Sequence, residues 1–302
     1  MNKVYLTFDV ETVISGINYN PMLLNNILLG SLYIAEELKK RDLKGTFFVS
    51  LSPKTRGIKW HDYQTVLNQT INILKQYSNI KLAPHLHMFN LPLSFETNKD
   101  QFSVYNSKQQ IEALGWSKKY FEKHGIIVDA FRPGGYAKNH EYYTNLYKSG
   151  YLYSSTLDIE NVNINLIDQN QIINQPYVVN NIKEYPVTNV KVKSIKGKKE
   201  VINLSPEMFS VRSVKRFCDE MEYLTINFHS FSVFSNRFIR ELHKGQMFNN
   251  LKYLFIDKPL NAFQRKIMKS EIIHTNTLIR RELISWLDYI EKFAKQCMFI
   301  GE

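Results

Sequence analysis

Apolar and polar residues alternate at the start of the chain. Val4, Leu6, Phe8 and Val10 take one side, and the polar side ends in Asp9 and Glu11. A period of two is that of a strand, so VYLTFDVE (4–11) predicts a strand with both carboxylates on one face. Helical periodicity replaces it at 22–41, and that segment ends in basic residues, which a helix C-terminus favours. GTFFVS (45–50) then predicts a strand, 60–77 an amphipathic helix and IKLAPHLH (80–87) a third strand. A helix follows at 107–125 with glycine at its end. DAFRPGGY (129–136) is a strand running into a tight loop, 139–150 a helix with Asn139 as candidate cap, and YLYSSTLD (151–158) a strand.

The rhythm breaks at 159–206, which is rich in Asn, Ile and Lys and predicts a β excursion; KVKSIKGKK (191–199) within it is read as a solvated hairpin turning at Gly197. Helix and strand resume at 211–222 and 224–233. Residues 234–274 show no assignable pattern, 277–296 predicts a last helix, and MFIG (298–301) a closing strand. Strand–helix alternation of this kind predicts parallel βαβ units closing into an α/β barrel. The expectation is one domain over 1–302 with an inserted segment at about 159–206.

Composition narrows the partners. The chain has 302 residues, is 44% hydrophobic and carries a formal net charge of +11, which favours anionic partners. The basic residues are scattered, which argues against a dedicated nucleic-acid surface and leaves peripheral contact with anionic lipid open. Cys218 and Cys297 are in no metal-binding spacing, no apolar run is long enough to span a bilayer, and the first strand begins after three residues. A cytoplasmic protein is expected, free or at the inner face of a membrane.

In barrels of parallel strands the chemistry gathers at the strands' C-terminal ends. Those ends carry Asp9 and Glu11, His85 and His87, Arg132, and His229. His85 and His87 share a face, as do the two acids. Two imidazoles and a carboxylate on neighbouring strand ends are a donor set for a catalytic divalent metal, and a second carboxylate close by can act as base. Each signal taken singly has a structural reading: an HxH pair, a paired acid, a satisfied histidine.

Taken in order, the motifs resemble those of the polysaccharide deacetylase superfamily (the NodB-homology, carbohydrate esterase family 4 type), most closely its cytosolic branch tied to surface-polysaccharide synthesis. TFDVE is similar to the spaced variant of the opening motif, HLH stands where HxxxH is common, RPGGY matches an Arg-Pro loop, and FHSF a strand ending in histidine. KEYPVT (183–188) resembles a strand of that branch. The resemblance implies an irregular (β/α)7 barrel. It implies a divalent metal, zinc first with cobalt, manganese or nickel as substitutes, held by Glu11, His85 and His87. Asp9 would be the base, oriented by Arg132, with the backbone around Gly134–Tyr136 as oxyanion hole and His229 as the acid for the leaving amine. The implied reaction removes an N-acetyl or related acyl group from a nucleotide-linked or lipid-linked sugar. Phe89, Tyr136 and Phe231 flank the motifs and offer rings for sugar stacking, though core or rim packing suits each of them. Two departures stand out: glutamate replaces aspartate as the second acid, and the histidines come from a strand end. A sugar-binding relative without catalysis and a basic nucleic-acid-binding protein are the alternatives.

Overall fold

The computed structural model describes residues 3–11, 21–53, 60–157, 174–193, 199–233 and 277–302. The elements alternate as β1 (Lys3–Val10), α1 (Pro21–Lys40), β2 (Gly45–Ser50), α2 (Trp60–Leu74), β3 (Ile80–Leu86), α3 (Ser107–Glu122), β4 (Ala130–Pro133), α4 (Tyr142–Lys148) and β5 (Tyr153–Ser154). The excursion follows as β6 (Tyr177–Val179), β7 (Ile182–Glu184), β8 (Asn189–Lys193) and β9 (Lys199–Asn203). The chain then returns through α5 (Val211–Glu220), β10 (Tyr223–His229), α6 (Thr277–Phe293) and β11 (Gln296–Met298).

The predicted α/β architecture is a curled, mostly parallel sheet in the order β10-β1-β2-β3-β4-β5-β7-β6. β10 flanks β1 along Lys3–Asp9, while β11 and β2 share its other edge in succession, at Lys3–Tyr5 and Thr7–Val10. Between the sheet's ends run single main-chain bonds. Thr188 N–H donates to Thr225 C=O at 2.9 Å, Leu204 N–H to Thr188 C=O at 2.7 Å, and Asn227 N–H to Leu204 C=O at 3.3 Å. The excursion is therefore part of the wall. β6 is antiparallel to β7 through a two-residue turn at Asn180 and Asn181, both with positive φ, the backbone that a tight hairpin requires.

Side-chain alternation divides each strand between two environments. Val4, Leu6, Phe8 and Val10 join Phe47, Val49, Leu82, Leu86, Phe131, Leu224, Ile226 and Phe228 in the main core, shared with Ile27, Ile34 and Leu38 of α1. The opposite faces turn into the curl. At the N-terminal end of the strands Tyr5, Phe48, Ala83, Ala130, Tyr185 and Ile300 form a small apolar plug. Two and four residues further on, the same faces present Thr7, Asp9, Ser50, His85, Arg132, Asn227 and His229.

Helix α1 is pressed against the turn after β10. A Cβ at Gly30 would lie 2.2 Å from the Ser230 carbonyl oxygen, so glycine is what this crossing admits. Several boundaries differ from expectation. β5 covers two residues of the eight predicted, and the closing strand begins at Gln296, ahead of MFIG. Asn139 does not cap α4: the N-cap is Glu141, and Asn139 Oδ1 accepts from the Glu141 N–H at 3.2 Å, a local turn bond. The turn at Gly197 and residues 234–274 lie outside the described residues. No helix among the described residues is long and apolar enough to cross a membrane.

Candidate active site

β1 and β3 bring Glu11, His85 and His87 together inside the curl, all buried. Glu11 Oε2 lies 3.0 Å from His87 Nε2 and 3.3 Å from His85 Nε2, and the two Nε2 atoms are 3.0 Å apart. Ligands about 2.0–2.1 Å from a tetrahedral zinc stand about 3.3 Å from one another, so the triangle has the dimensions of a cation site. Its donor chemistry also fits. His85 Nδ1 faces the Arg132 carbonyl oxygen at 3.1 Å, and His87 Nδ1 faces Asp100 Oδ1 at 2.7 Å. Both rings thus have an acceptor at Nδ1 and turn Nε2 inward, as ligating histidines do. Burial lowers the His85 pKa against the pull of Asp9 and Glu11, which favours the neutral, ligating form. On its other side the His87 ring meets Gly134, where a Cβ would sit 2.5 Å from Nδ1. The second glycine of RPGGY, Gly135, takes φ +58 and completes the turn.

Beside the triangle, Arg132 is fully buried and donates to Asp9 Oδ1 at 2.6 Å, Asn227 Oδ1 at 2.8 Å, Thr7 Oγ1 at 2.9 Å, Ser155 Oγ at 2.7 Å and the Ser155 carbonyl at 3.1 Å. Its guanidinium lies 4.1 Å from the Phe48 ring centroid, at the boundary with the apolar plug. Asn227 Nδ2 donates to Asp9 Oδ2 at 3.0 Å and to the Tyr136 hydroxyl at 2.5 Å. Burial pushes the Asp9 carboxyl up, but Arg132, His85 and His229 outweigh it and hold the pKa below the usual value.

His229 stands at the mouth, with 30% of its side chain exposed. Its Nε2 is 3.7 Å from Asp9 Oδ2 and 3.8 Å from Glu11 Oε1, and its Nδ1 is 2.8 Å from Glu207 Oε2. Glu207 Oε1 accepts from the Ser232 hydroxyl. Burial lowers the His229 pKa, yet the carboxylates, Glu207 foremost, raise it to about 9. Tyr136 reaches the site with its phenol. It takes φ +56, its ring lies 5.6 Å from the Arg132 guanidinium, and burial with the nearby Asp9 charge raises its pKa. Phe231 packs its ring 5.1 Å from that of His229, and Phe89 is partly buried above His87 in sequence, its carbonyl accepting from Ser52 Oγ.

All seven residues singled out in the sequence therefore meet in one place. Five partners were not singled out: Thr7, Asn227, Glu207, Asp100 and Ser155. Asn227 stands two residues before His229, so the period-two rule puts it on the same face. Asp100 and Glu207 come from loops and have no periodic signal.

No family model matches the chain, and no curated protein matches it in sequence. Among solved structures it is similar to a Mycobacterium smegmatis protein assigned as a polysaccharide deacetylase. That match has a TM-score of 0.50 at 15% identity and covers 99% of this chain and 94% of the other. The two share the deacetylase-type fold. A Bordetella bronchiseptica protein assigned as a polysaccharide deacetylase of O-antigen biosynthesis aligns at TM-score 0.41 and 10% identity, over 94% of this chain and 90% of that one. A carbohydrate esterase family 4 pseudoenzyme from Bacillus anthracis aligns at 0.35 and 12%, over 92% and 65%.

Proposed function

We propose that this protein is a metal-dependent hydrolase that removes an acyl group, acetyl first, from the nitrogen of an amino sugar. The observation that carries this reading is the meeting, on one concave face, of the Glu11–His85–His87 triangle, the Asp9–Arg132 pair and His229. A divalent cation at the triangle, zinc by its donor set, would polarise the amide carbonyl and acidify the attacking water. Asp9, fixed by Arg132 and Asn227, takes a proton from that water as the new C–O bond forms. The carbonyl oxygen gains negative charge, and the Tyr136 phenol is placed to donate to it, since its oxygen already accepts from Asn227 and its proton is left over. This adds the side chain to the main-chain donor expected at that loop. When the C–N bond breaks, its electron pair goes to nitrogen, and His229 Nε2 supplies the proton. Glu207 stabilises the charged imidazole for that step.

The substrate proposed is a sugar on a nucleotide or lipid carrier in surface-polysaccharide or glycolipid synthesis, handled in the cytoplasm or at the inner face of its membrane. The net charge of +11 suits the phosphates of either carrier. The test is metal content by plasma mass spectrometry for wild type and His87→Ala after dialysis against zinc, followed by an acetate-release screen on N-acetyl sugars. About one metal per chain in wild type, little in the variant, and acetate release support the reading. Metal without release points to a sugar-binding relative, and no metal in either protein overturns the assignment of the triangle.

A further inference from the structure

We propose that Asp100 is a positioning residue that keeps the His87 proton on Nδ1 and so leaves Nε2 bare for a cation. The proposal rests on the reading of the Glu11–His85–His87 triangle as a cation site. A neutral imidazole has one N–H, and two carboxylates compete for it here. Asp100 Oδ1 stands 2.7 Å from His87 Nδ1, and Glu11 Oε2 stands 3.0 Å from Nε2. A proton on Nε2 would satisfy Glu11 and block ligation, so the triangle without an opposing acceptor favours the wrong tautomer. His85 has no such dependence on a side chain, because the acceptor at its Nδ1 is the Arg132 main-chain carbonyl.

The ring itself is already held. It is buried, and the Gly134 backbone lies against it so closely that a Cβ would overlap Nδ1 and Cγ, at 2.5 and 2.7 Å. What Asp100 adds is where the proton sits. The segment after β3 is built to deliver this carboxylate. Met88 N–H donates to the Asp100 carbonyl at 3.0 Å, and Asn90 N–H to the Thr97 carbonyl at 2.9 Å, folding the chain back on itself. The Tyr105 hydroxyl clamps the return, accepting from Lys99 N–H at 3.0 Å and donating to the Lys99 carbonyl at 3.1 Å. The Asp100 side chain stays 40% exposed, so its replacement leaves no buried hole.

The test compares wild type, Asp100→Ala and Asp100→Asn in two measurements. Zinc affinity is read by competition with a chromophoric chelator. The His87 tautomer is read from two-bond 15N–1H correlations of the metal-free proteins at a pH where the ring is neutral. Asp100→Ala is expected to weaken zinc by about 10- to 100-fold. Asp100→Asn should recover part of that, because its amide oxygen still accepts from Nδ1–H. Wild type should show the Nδ1–H pattern and Asp100→Ala a shift toward Nε2–H. Zinc affinity in Asp100→Ala within about twofold of wild type, or an Nε2–H pattern in wild type, overturns the proposal. If wild type binds no zinc, the cation reading of the triangle fails, and the tautomer comparison alone still decides what Asp100 does. If Asp100→Ala does not fold, Asp100→Asn carries both measurements, with an intermediate loss expected.

Discussion

Replacing Arg132 by methionine removes the group that fixes Asp9 while keeping a long apolar side chain over Phe48. The guanidinium has no exposure and makes five donor contacts, one of them the 2.6 Å bond to Asp9 Oδ1. Methionine leaves the Asp9 carboxylate, 3% exposed, with Asn227 as its remaining neutral donor among those described above. Removing one partner of a buried ion pair costs about 3–5 kcal/mol, because the other charge is stranded in low dielectric. In the wild type Asp9 titrates below its usual 3.8, so its contribution to stability is present above that value and is lost as pH falls through the lower, folded pKa. In the variant burial and Glu11 are opposed by His85 and His229 without Arg132, so the folded pKa rises from its wild-type position and the penalty grows as pH rises through it. Urea unfolding of chelator-treated wild type and variant should therefore give a loss of about 3–5 kcal/mol at neutral pH and a smaller one as pH is lowered. Adding Asp9→Asn should return much of it. A loss under about 1 kcal/mol, or one that neither falls with pH nor responds to Asp9→Asn, refutes the account of a charge pair holding the site together.

Other outcomes follow from the same contacts. Gly134→Ala drives a methyl into the His87 ring and should cut zinc affinity at least about tenfold in chelator competition; unchanged affinity would show that the ring is not clamped there. Gly30→Ala gains about 1 kcal/mol of helix propensity but collides with the Ser230 carbonyl, so denaturant melts should show a net loss of about 1–3 kcal/mol, and a stabilised variant would refute the packing. Glu207→Gln should bring the His229 pKa down from about 9 in NMR titration of the metal-free protein; its charged form stabilises the fold below about 6.5, and that contribution fades as pH rises toward about 9, a window the variant narrows. Zinc at about 100 times its dissociation constant should add about 2.7 kcal/mol to the stability of wild type and nothing to His87→Ala.

The strands that build the site were readable because they obey one local rule. A period of two places Asp9 with Glu11 and His85 with His87 whatever the rest of the chain does, and a strand's C-terminal end is where a parallel sheet exposes such side chains. The same rule applied one step further back would have named Thr7 and Asn227. It could not name Asp100 or Glu207. Both sit in loops, where position depends on main-chain bonds such as Met88 to Asp100 and not on a repeat. Nor did local preference set the element ends. YLYSSTLD has strand composition over eight residues, but a partner strand is available for Tyr153 and Ser154. Asn139 is a good cap by type, yet the chain turns through Glu141 first.

By itself, then, the sequence determined the α/β class, the order of the elements and which side chains turn inward, since hydrophobic period and residue type act over a few positions. Tertiary structure decided the rest: that the strand ends come within 3.0–3.3 Å at the triangle, that Arg132 bridges Asp9 to Asn227, and which loop acids reach His87 and His229 at Nδ1. Apart from the His85–His87 pair, those contacts join residues 13 to 123 positions apart in the chain, and only the curl of the sheet and the packing beneath it bring such groups to hydrogen-bonding distance.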